Sequence, residues 1–326
     1  MNKPSVEELK KYDAYYEPDT EFQAKARYLQ SKWLKAKGIE KGRSQRNKGD
    51  YYGNFINEKD AEEKGCNFLT QKIWGIAQEE MENAKKEKKQ VRPVYNDYQF
   101  VCNLLRSQAL CFNLFAEFLD REYILVKVFN ELKPNLMDRI TKIKFEYSPG
   151  RQDKKYTNDG TAFDVFIEYE KNNERSFLGI EVKYSEDLKD EEVKTAEDNF
   201  ENNTRLKKIT EDCGLFKPDV IDGIKGYCGR GTGHRIIRPP YSQIWRDHLL
   251  SISLKSAQNY INGYYVFLYP SNNPECHCGI KKYMEFLQNP EESIFELHLE
   301  DFINCIKKYI TEPWANELFH RYIEGL

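Results

Sequence analysis

The sequence predicts an α+β or α/β fold, on three observations. Three successive segments between residues 139 and 184 alternate apolar and polar residues as strands do. An almost wholly apolar segment, residues 100–119, precedes them, and charged, helix-like segments lie on both sides. A buried helix followed by a three-stranded meander is typical of these classes because each sheet needs helices to cover it.

The composition limits the class of protein. The chain has 326 residues, with 50 Lys+Arg against 53 Asp+Glu and a formal charge of −3. This near-neutral balance excludes a strongly basic protein, so any nucleic acid has to be bound through a local patch. The aromatic content of 14% argues against disorder.

Location is predicted from the apolar runs and the cysteines. The longest apolar run, Tyr264 to Tyr269, is far shorter than the roughly 18 residues of a membrane span. The first residues contain no apolar signal core, and the eight cysteines are scattered through a long chain. We therefore expect no membrane insertion and a reducing, cytoplasmic environment.

The length suggests about two domains. We predict a helical N-terminal region over residues 1–98, packed on or extending the core, and a second domain over 99–326. Within the first region, Ala24 to Lys37 has the pattern of a basic amphipathic helix, Gly38 to Gly53 that of a loop, and Ile73 to Lys89 that of a helix with a solvated, Lys-rich end.

The apolar segment from Phe100 to Leu119 predicts one buried helix. Three polar residues interrupt it, Arg106, Asn113 and Glu117, spaced seven and then four residues apart. This spacing places them on one helix face. A carboxylate on a buried helix has to be paired, protonated or bound to a metal.

Three strands are predicted next, at Arg139 to Tyr147, Ala162 to Glu170 and Phe177 to Tyr184. The remaining chain begins with helix-like sequence, followed by an acid-free segment that contains a basic Gly-rich insertion at about 223–242. One more helix, a buried strand and two closing helices are predicted after it. The ranges of these six segments, in the same order, are Leu188 to Leu215, Gly223 to Trp245, Gln243 to Ala257, Gly263 to Pro270, Lys281 to Gln288 and Phe295 to Tyr309.

The strands bring together Asp164, Glu181 and Lys183, which would project from one sheet face if the second and third strands pair. Carboxylates at close range repel unless a cation intervenes, and Mg²⁺ binds carboxylates together with waters and phosphate oxygens. A lysine there can orient a water and stabilise charge on a phosphate. A solvent-facing β-ladder with cross-strand ion pairs has the same pattern. A buried helix carrying Glu117 favours the covered site.

These residues resemble the PD-(D/E)xK nuclease superfamily, which has the restriction-endonuclease-like fold. The resemblance rests on Asp164 and on Glu181-Val182-Lys183. Four further segments, in order, are similar to an uncharacterised bacterial branch of that superfamily: Ser107 to Phe118, Phe145 to Arg151, Ile180 to Leu188 and Gln243 to Leu250. The resemblance implies a mixed central sheet flanked by helices.

The resemblance also implies roles. Asp164 and Glu181 would be metal ligands, and Lys183 the catalytic lysine. Glu117 matches an additional acidic metal ligand on the first core helix, with Glu146 as a competitor, and Gln243 matches a catalytic-site glutamine. Phe163 stands where the proline of the name would be.

Basic residues predict where nucleic acid binds. Arg230, Arg235 and Arg238 lie among glycines in the acid-free segment, and Arg246 follows Gln243 by one helical turn. A surface loop whose arginines balance acidic neighbours is the alternative. The cysteines near His277 suggest a zinc site, but their irregular spacing favours thiols that bind no metal.

We expect an Mg²⁺-dependent nuclease, with Mn²⁺ as a substitute. DNA cleaved internally is the favoured substrate because the resemblance most often implies it, and RNA is not excluded. A homodimer that places two sites on two strands stays open. The alternative function is a non-catalytic nucleic-acid-binding or interaction module that keeps the fold.

Overall fold

The computed structural model describes residues 4–86, 97–188 and 192–326. The helices in these ranges are α1 (Val6–Lys11), α2 (Glu21–Ala36), α3 (Glu58–Lys64), α4 (Gln71–Lys86), α5 (Asp97–Cys102), α6 (Ser107–Phe115), α7 (Glu122–Leu132), α8 (Val193–Asn202), α9 (Thr204–Asp212), α10 (Pro218–Lys225), α11 (Ser242–Ala257), α12 (Pro274–Met284), α13 (Leu299–Tyr309) and α14 (Pro313–Tyr322). None of them is long and apolar enough to cross a membrane.

The strands in the same ranges are β1 (Lys41–Gln45), β2 (Lys48–Ile56), β3 (Arg139–Tyr147), β4 (Phe163–Lys171), β5 (Glu174–Val182), β6 (Asn262–Tyr269) and β7 (Ile294–His298). The last five form one sheet in the order β3-β4-β5-β6-β7. β3, β4 and β5 pair antiparallel, whereas β6 and β7 run parallel to β5. The predicted mixed sheet flanked by helices is confirmed.

The predicted meander forms because the alternating pattern of its strands and the residues of its turn both favour antiparallel pairing. On β4, Val165 and Ile167 face one hydrophobic cluster, while Phe166 faces another on the opposite side of the sheet. The tight turn between β4 and β5 is made by Asn172 and Asn173, both with positive φ, as two-residue hairpin turns require. Each sheet face is therefore buried, which makes this a three-layer arrangement.

The helices divide between the two faces. On one side, α6, α7, α13 and α14 share a core with the N-terminal region. On the other side, α8 to α12 pack against the sheet. Helix α11 lies directly on β6, which brings its first turn to the end of β5.

The N-terminal region contains a β-hairpin that the sequence analysis did not predict. Residues assigned to the loop from Gly38 to Gly53 form β1 and most of β2. The prediction of a loop was wrong because β1 contains no apolar residue, so it shows no alternation. Trp33 and Leu34 of α2 belong to the same hydrophobic cluster as Tyr184 and Tyr322. A domain boundary at residue 98 stays a prediction.

Three further predictions need correction. The helix predicted from Phe100 to Leu119 is interrupted, because Arg106 is extended (φ −76°, ψ 126°) between α5 and α6. The segment predicted as a helix from Phe295 begins as strand β7. The helix predicted at Lys281 to Gln288 begins earlier, as α12. Residues 87–89 of the predicted Lys-rich helix end lie outside the described residues.

Candidate active site

Asp164, Glu181 and Lys183 meet where β4 and β5 lie side by side. Asp164 is the second residue of β4, and its Oδ2 accepts a hydrogen bond from the backbone N–H of Val182 at 2.8 Å. Lys183 directly follows β5, and its N–H donates to the carbonyl of Leu268 at the end of β6. The backbone of three neighbouring strands thus holds these positions in place.

Gln243, in the first turn of α11, joins the side chains of Glu181, in β5, and Lys183, directly after β5. Its Nε2 donates to Glu181 Oε1 at 2.7 Å, and its Oε1 accepts from Lys183 Nζ at 3.1 Å. Lys183 Nζ also lies 2.9 Å from Glu181 Oε1. Glu181 and Lys183 are only 5% and 8% exposed. The alternative of a solvent-facing β-ladder does not describe this sheet face, because helix α11 covers it.

A cavity of about 530 Å³ opens beside these residues. Asp164, Glu181 and Gln243 line it, together with Arg246. Four of the residues that the sequence predicted for the site are thus brought to one cavity. Its walls also contain acidic and basic residues that extend the site: Glu146, Asp159, Asp247 and Arg151.

Glu117 does not reach this cavity. It lies in a 3₁₀ turn, Ala116–Phe118, where its carboxylate accepts a hydrogen bond from Thr70 at 2.5 Å and pairs with Arg121 at 2.7 Å. Lys72 is a further 3.6 Å neighbour. The structure thus contradicts the placement of Glu117 at the metal site. Its helix face is covered by the N-terminal region and α14 rather than by the carboxylates of the sheet.

Glu146, at the end of β3, occupies the position expected of Glu117. It has a positive φ of 46°, and its Oε1 accepts a hydrogen bond from Gln108 of α6 at 2.6 Å. Desolvation in the cavity, with the charge of Glu181, raises the pKa of Glu146 to about 7. The competitor named from the sequence is therefore the acid that the fold brings to the site.

The electrostatics of the site reflect a shortage of positive charge. Burial and the neighbouring Glu181 and Glu146 raise the pKa of Asp164 well above its usual value. Burial alone would lower the pKa of Lys183, but the charges of Glu181 and Asp164 outweigh it and raise that pKa. Lys183 is therefore an ammonium held among carboxylates.

Asp247 is a site residue that the sequence analysis missed. It lies one helical turn after Gln243, is 5% exposed, and its Oδ2 is buried without a hydrogen-bond partner in the described part of the chain. Burial and the charge of Glu181 raise the pKa of Asp247 well above its usual value. The four-residue spacing from Gln243 was the available signal.

The site fits a hard divalent cation. Asp159 Oδ2 is a second buried oxygen that lacks a partner among the residues described. Unsatisfied buried oxygens are costly, and oxygen donors are what Mg²⁺ prefers. The carboxylates do not form a three-ligand group within 4.8 Å in the described residues. Two carboxylates are nevertheless enough, because Mg²⁺ keeps several waters and binds substrate phosphate.

The basic insertion is balanced by acids of α8. Arg230 Nη2 lies 3.0 Å from Asp198, and Arg238 Nε lies 2.6 Å from Glu197. The guanidinium of Arg235 lies 4.8 Å from the ring centre of Phe286. None of the three lines the cavity, so the structure does not bring them to Arg246 and the carboxylates. The alternative of a loop balanced by acidic neighbours describes Arg230 and Arg238.

Nearly the whole chain matches a known protein family. Residues 17–324 match the PD-(D/E)XK nuclease superfamily. The chain belongs to this superfamily. The resemblance predicted from the sequence motifs is thereby confirmed, and the match extends through the N-terminal region. Membership implies hydrolysis of phosphodiester bonds in nucleic acid, and nucleases of this superfamily generally use divalent metals. No curated protein and no solved structure matches the chain.

Proposed function

We propose that this protein is a divalent-metal-dependent nuclease that cleaves DNA internally. The observation that carries the proposal is that Asp164, Glu181 and Gln243 line one cavity, while Gln243 and Glu181 hold the ammonium of Lys183 beside them. Carboxylates adjacent to an ammonium in a partly enclosed cavity suit phosphodiester hydrolysis, which needs a cation and a donor near the phosphate.

Asp164 and Glu181 would hold Mg²⁺, or Mn²⁺ in its place, and Glu146 would be the third acid. When bound, the ion supplies positive charge that acidifies a water and neutralises charge on the phosphate. The side chains must be ionised to act as ligands. Because burial and neighbouring carboxylates raise the pKa values of Asp164 and Glu146, these groups would have to release their protons to act as ligands.

Lys183 would orient the attacking water and stabilise the negative charge that develops on the phosphate. Its ammonium is held by Glu181 at 2.9 Å and by Gln243 at 3.1 Å. Gln243 acts as a positioning residue, because it fixes both the carboxylate and the ammonium from one helix. Its amide group contacts both Glu181 and Lys183.

Arg246 would bind a substrate phosphate at the cavity wall. Arg230, Arg235 and Arg238 were predicted as further phosphate contacts. We retain Arg246 in the proposal because it lines the cavity, which Arg230, Arg235 and Arg238 do not. A homodimer and a cytoplasmic location stay predictions; light scattering on the purified protein tests the first.

The test is cleavage of supercoiled plasmid, linear duplex, single-stranded DNA and RNA, with Mg²⁺, Mn²⁺ or EDTA. We expect nicking or linearisation of the plasmid with metal and none with EDTA. Loss of linear duplex only from its ends would contradict internal cleavage, and degradation of RNA alone would contradict the substrate. Binding without cleavage of any substrate would favour the non-catalytic module.

Lys183→Ala tests the catalytic assignment. We expect cleavage to fall on the order of 10²- to 10⁴-fold, the usual range for such groups, while circular dichroism and Mg²⁺ binding are retained. Lys171→Ala is the matched control, because Lys171 pairs with Asp138 on the surface at the far end of β4. Undiminished cleavage by Lys183→Ala would contradict the role given to Lys183.

A further inference from the structure

A second group of potential ligands lies at the other edge of the sheet. His277 of α12 and Glu296 and His298 of β7 place one ligand atom each within 4.8 Å of one another. None of the three lines the cavity beside Asp164. Two imidazoles and one carboxylate form a donor set that suits Zn²⁺, whereas the all-oxygen set at the cavity suits Mg²⁺.

The hydrogen bonds around His277 leave a ring nitrogen available to a metal. The hydroxyl of Tyr269 donates to Glu296 Oε2 at 2.8 Å. Its proton is thereby used, so its oxygen accepts from His277 Nδ1, which lies 3.0 Å away. With the proton on Nδ1, Nε2 of His277 carries the lone pair. Tyr269 therefore orients two of the three ligands at once.

The surroundings of His298 also leave a ring nitrogen available to a metal. Its Nδ1 lies 3.6 Å from the carboxylate of Asp301, which favours the proton on that nitrogen. Its Nε2 is buried and has no hydrogen-bond partner among the described residues. A histidine whose Nδ1 faces a carboxylate while Nε2 stays available is typical of metal-ligating histidines. A buried ring nitrogen with no partner also needs an explanation, and a bound cation supplies one.

The ammonium of Lys281 already places a positive charge beside these ligands. Its ammonium is in contact with Glu296 Oε1. A lysine lies one turn after His277 on α12, so the side chain that would compete with a metal comes from the same helix face. Replacing the ammonium by a divalent ion would free a flexible, half-exposed side chain to move into solvent.

We propose that His277, Glu296 and His298 bind a transition-metal ion of the zinc type, with a water completing the coordination. The site joins α12 to the edge strand β7, so the ion stabilises the packing of that helix on the sheet. The cysteines first considered for zinc do not take part. Cys276 is buried, with its thiol directed to the carbonyl of Glu186.

The test is titration of the chelator-treated, full-length protein with Zn²⁺ by calorimetry, and with Co²⁺ by visible absorption, in excess Mg²⁺ to fill the cavity site. We expect one saturable site per chain and the absorption bands of nitrogen- and oxygen-ligated Co²⁺ in low coordination. His277→Ala and His298→Ala should each weaken Zn²⁺ binding by at least about tenfold.

Two variants act as controls. His320→Ala should bind Zn²⁺ as the wild type does, because His320 lies exposed on α14 and pairs with Glu324. Lys281→Met should bind Zn²⁺ more tightly, because the competing ammonium is removed. Absence of a saturable site in excess Mg²⁺, or unchanged binding by both His277→Ala and His298→Ala, would overturn the proposal. Neither result depends on whether the protein cleaves DNA.

Discussion

Two clusters of acidic residues, each with a buried carboxylate, differ in how their charge is balanced. In the first, Glu117 is matched by Arg121 at 2.7 Å, with a hydrogen bond from Thr70 and Lys72 nearby. Neighbouring acids of the cluster are paired as well: Lys72 holds Asp120, and Arg121 also holds Glu312. Every charge has a partner, so this cluster needs no ligand.

In the second cluster, carboxyl groups outnumber cations. Five line the cavity: Glu146, Asp159, Asp164, Glu181 and Asp247. Arg151 and Arg246 line it too, and Lys183 is paired with Glu181. Two carboxylate oxygens lack partners in the described residues, and three acids have raised pKa values. The difference teaches that a missing counter-charge distinguishes the candidate site from a cluster that merely contains a buried acid.

The largest expected difference between the clusters is in catalysis. Asp164→Asn should lower DNA cleavage on the order of 10³-fold, because it removes the charge of a metal ligand. Glu117→Gln should change cleavage by no more than about threefold, because the carboxylate of Glu117 is bound by Thr70 and Arg121, neither of which lines the cavity. Rates of plasmid linearisation at saturating Mg²⁺ measure both. Equal losses in the two variants would contradict the separation of the clusters.

The same pair of substitutions should change stability in opposite directions. In EDTA, Asp164→Asn should raise the free energy of unfolding by about 1 kcal/mol, because it removes repulsion with Glu181 and Glu146. Glu117→Gln should lower it by about 1–3 kcal/mol, because Arg121 loses the buried one of its two charged partners. Urea unfolding at pH 7 measures both values. A loss of stability in Asp164→Asn would count against the repulsion.

A smaller effect is expected on the pH dependence of stability. The folded pKa of Glu146, about 7, is raised above its usual 4.5, so the folded state keeps a proton that the unfolded chain releases. The contribution of Glu146 to the free energy of unfolding is therefore fully present below about pH 4.5 and is lost as the pH rises through 7. Asp164 acts in the same direction.

The measurement is the thermal midpoint of EDTA-treated protein between pH 5 and pH 8. The midpoint of the wild type should fall more steeply than that of Glu146→Gln, which has no proton to lose. Excess Mg²⁺ should reduce the slope, since the cation replaces the proton. Parallel curves for the two proteins would show that Glu146 does not titrate in this window.

The sheet could be predicted where local pattern carries the signal. Strands β3, β4 and β5 are nine residues long, each carries apolar residues at every second position over at least five residues, and their turns contain Asn, Gly or Pro. Strand β7 has five residues and is followed at once by α13, so its apolar positions merge with a helical pattern. In the hairpin β1–β2, β1 has no apolar residue and β2 buries Phe55 and Ile56 only at its end, where it packs against α2, so no alternation is visible in the sequence.

Site residues on two paired strands could be predicted because their spacing is local. Asp164, Glu181 and Lys183 are related by the two-residue period and one turn, and motif order adds Gln243. The choice between Glu117 and Glu146 could not be made in this way. The sequence shows that a helix face is polar, but it does not show which element covers that face. Asn113, one turn before Glu117, forms a hydrogen bond with Tyr322 of α14, so α14 covers this face instead of the sheet carboxylates.

The central claim is that the sheet carboxylates hold the divalent ion. Titration of chelator-treated protein with Mg²⁺ by calorimetry tests it directly, on the wild type, Glu181→Gln and Glu117→Gln. The account predicts the same affinity for the wild type and Glu117→Gln, and an affinity at least about tenfold weaker for Glu181→Gln. Absence of Mg²⁺ binding by the wild type, or full binding by Glu181→Gln, would contradict it.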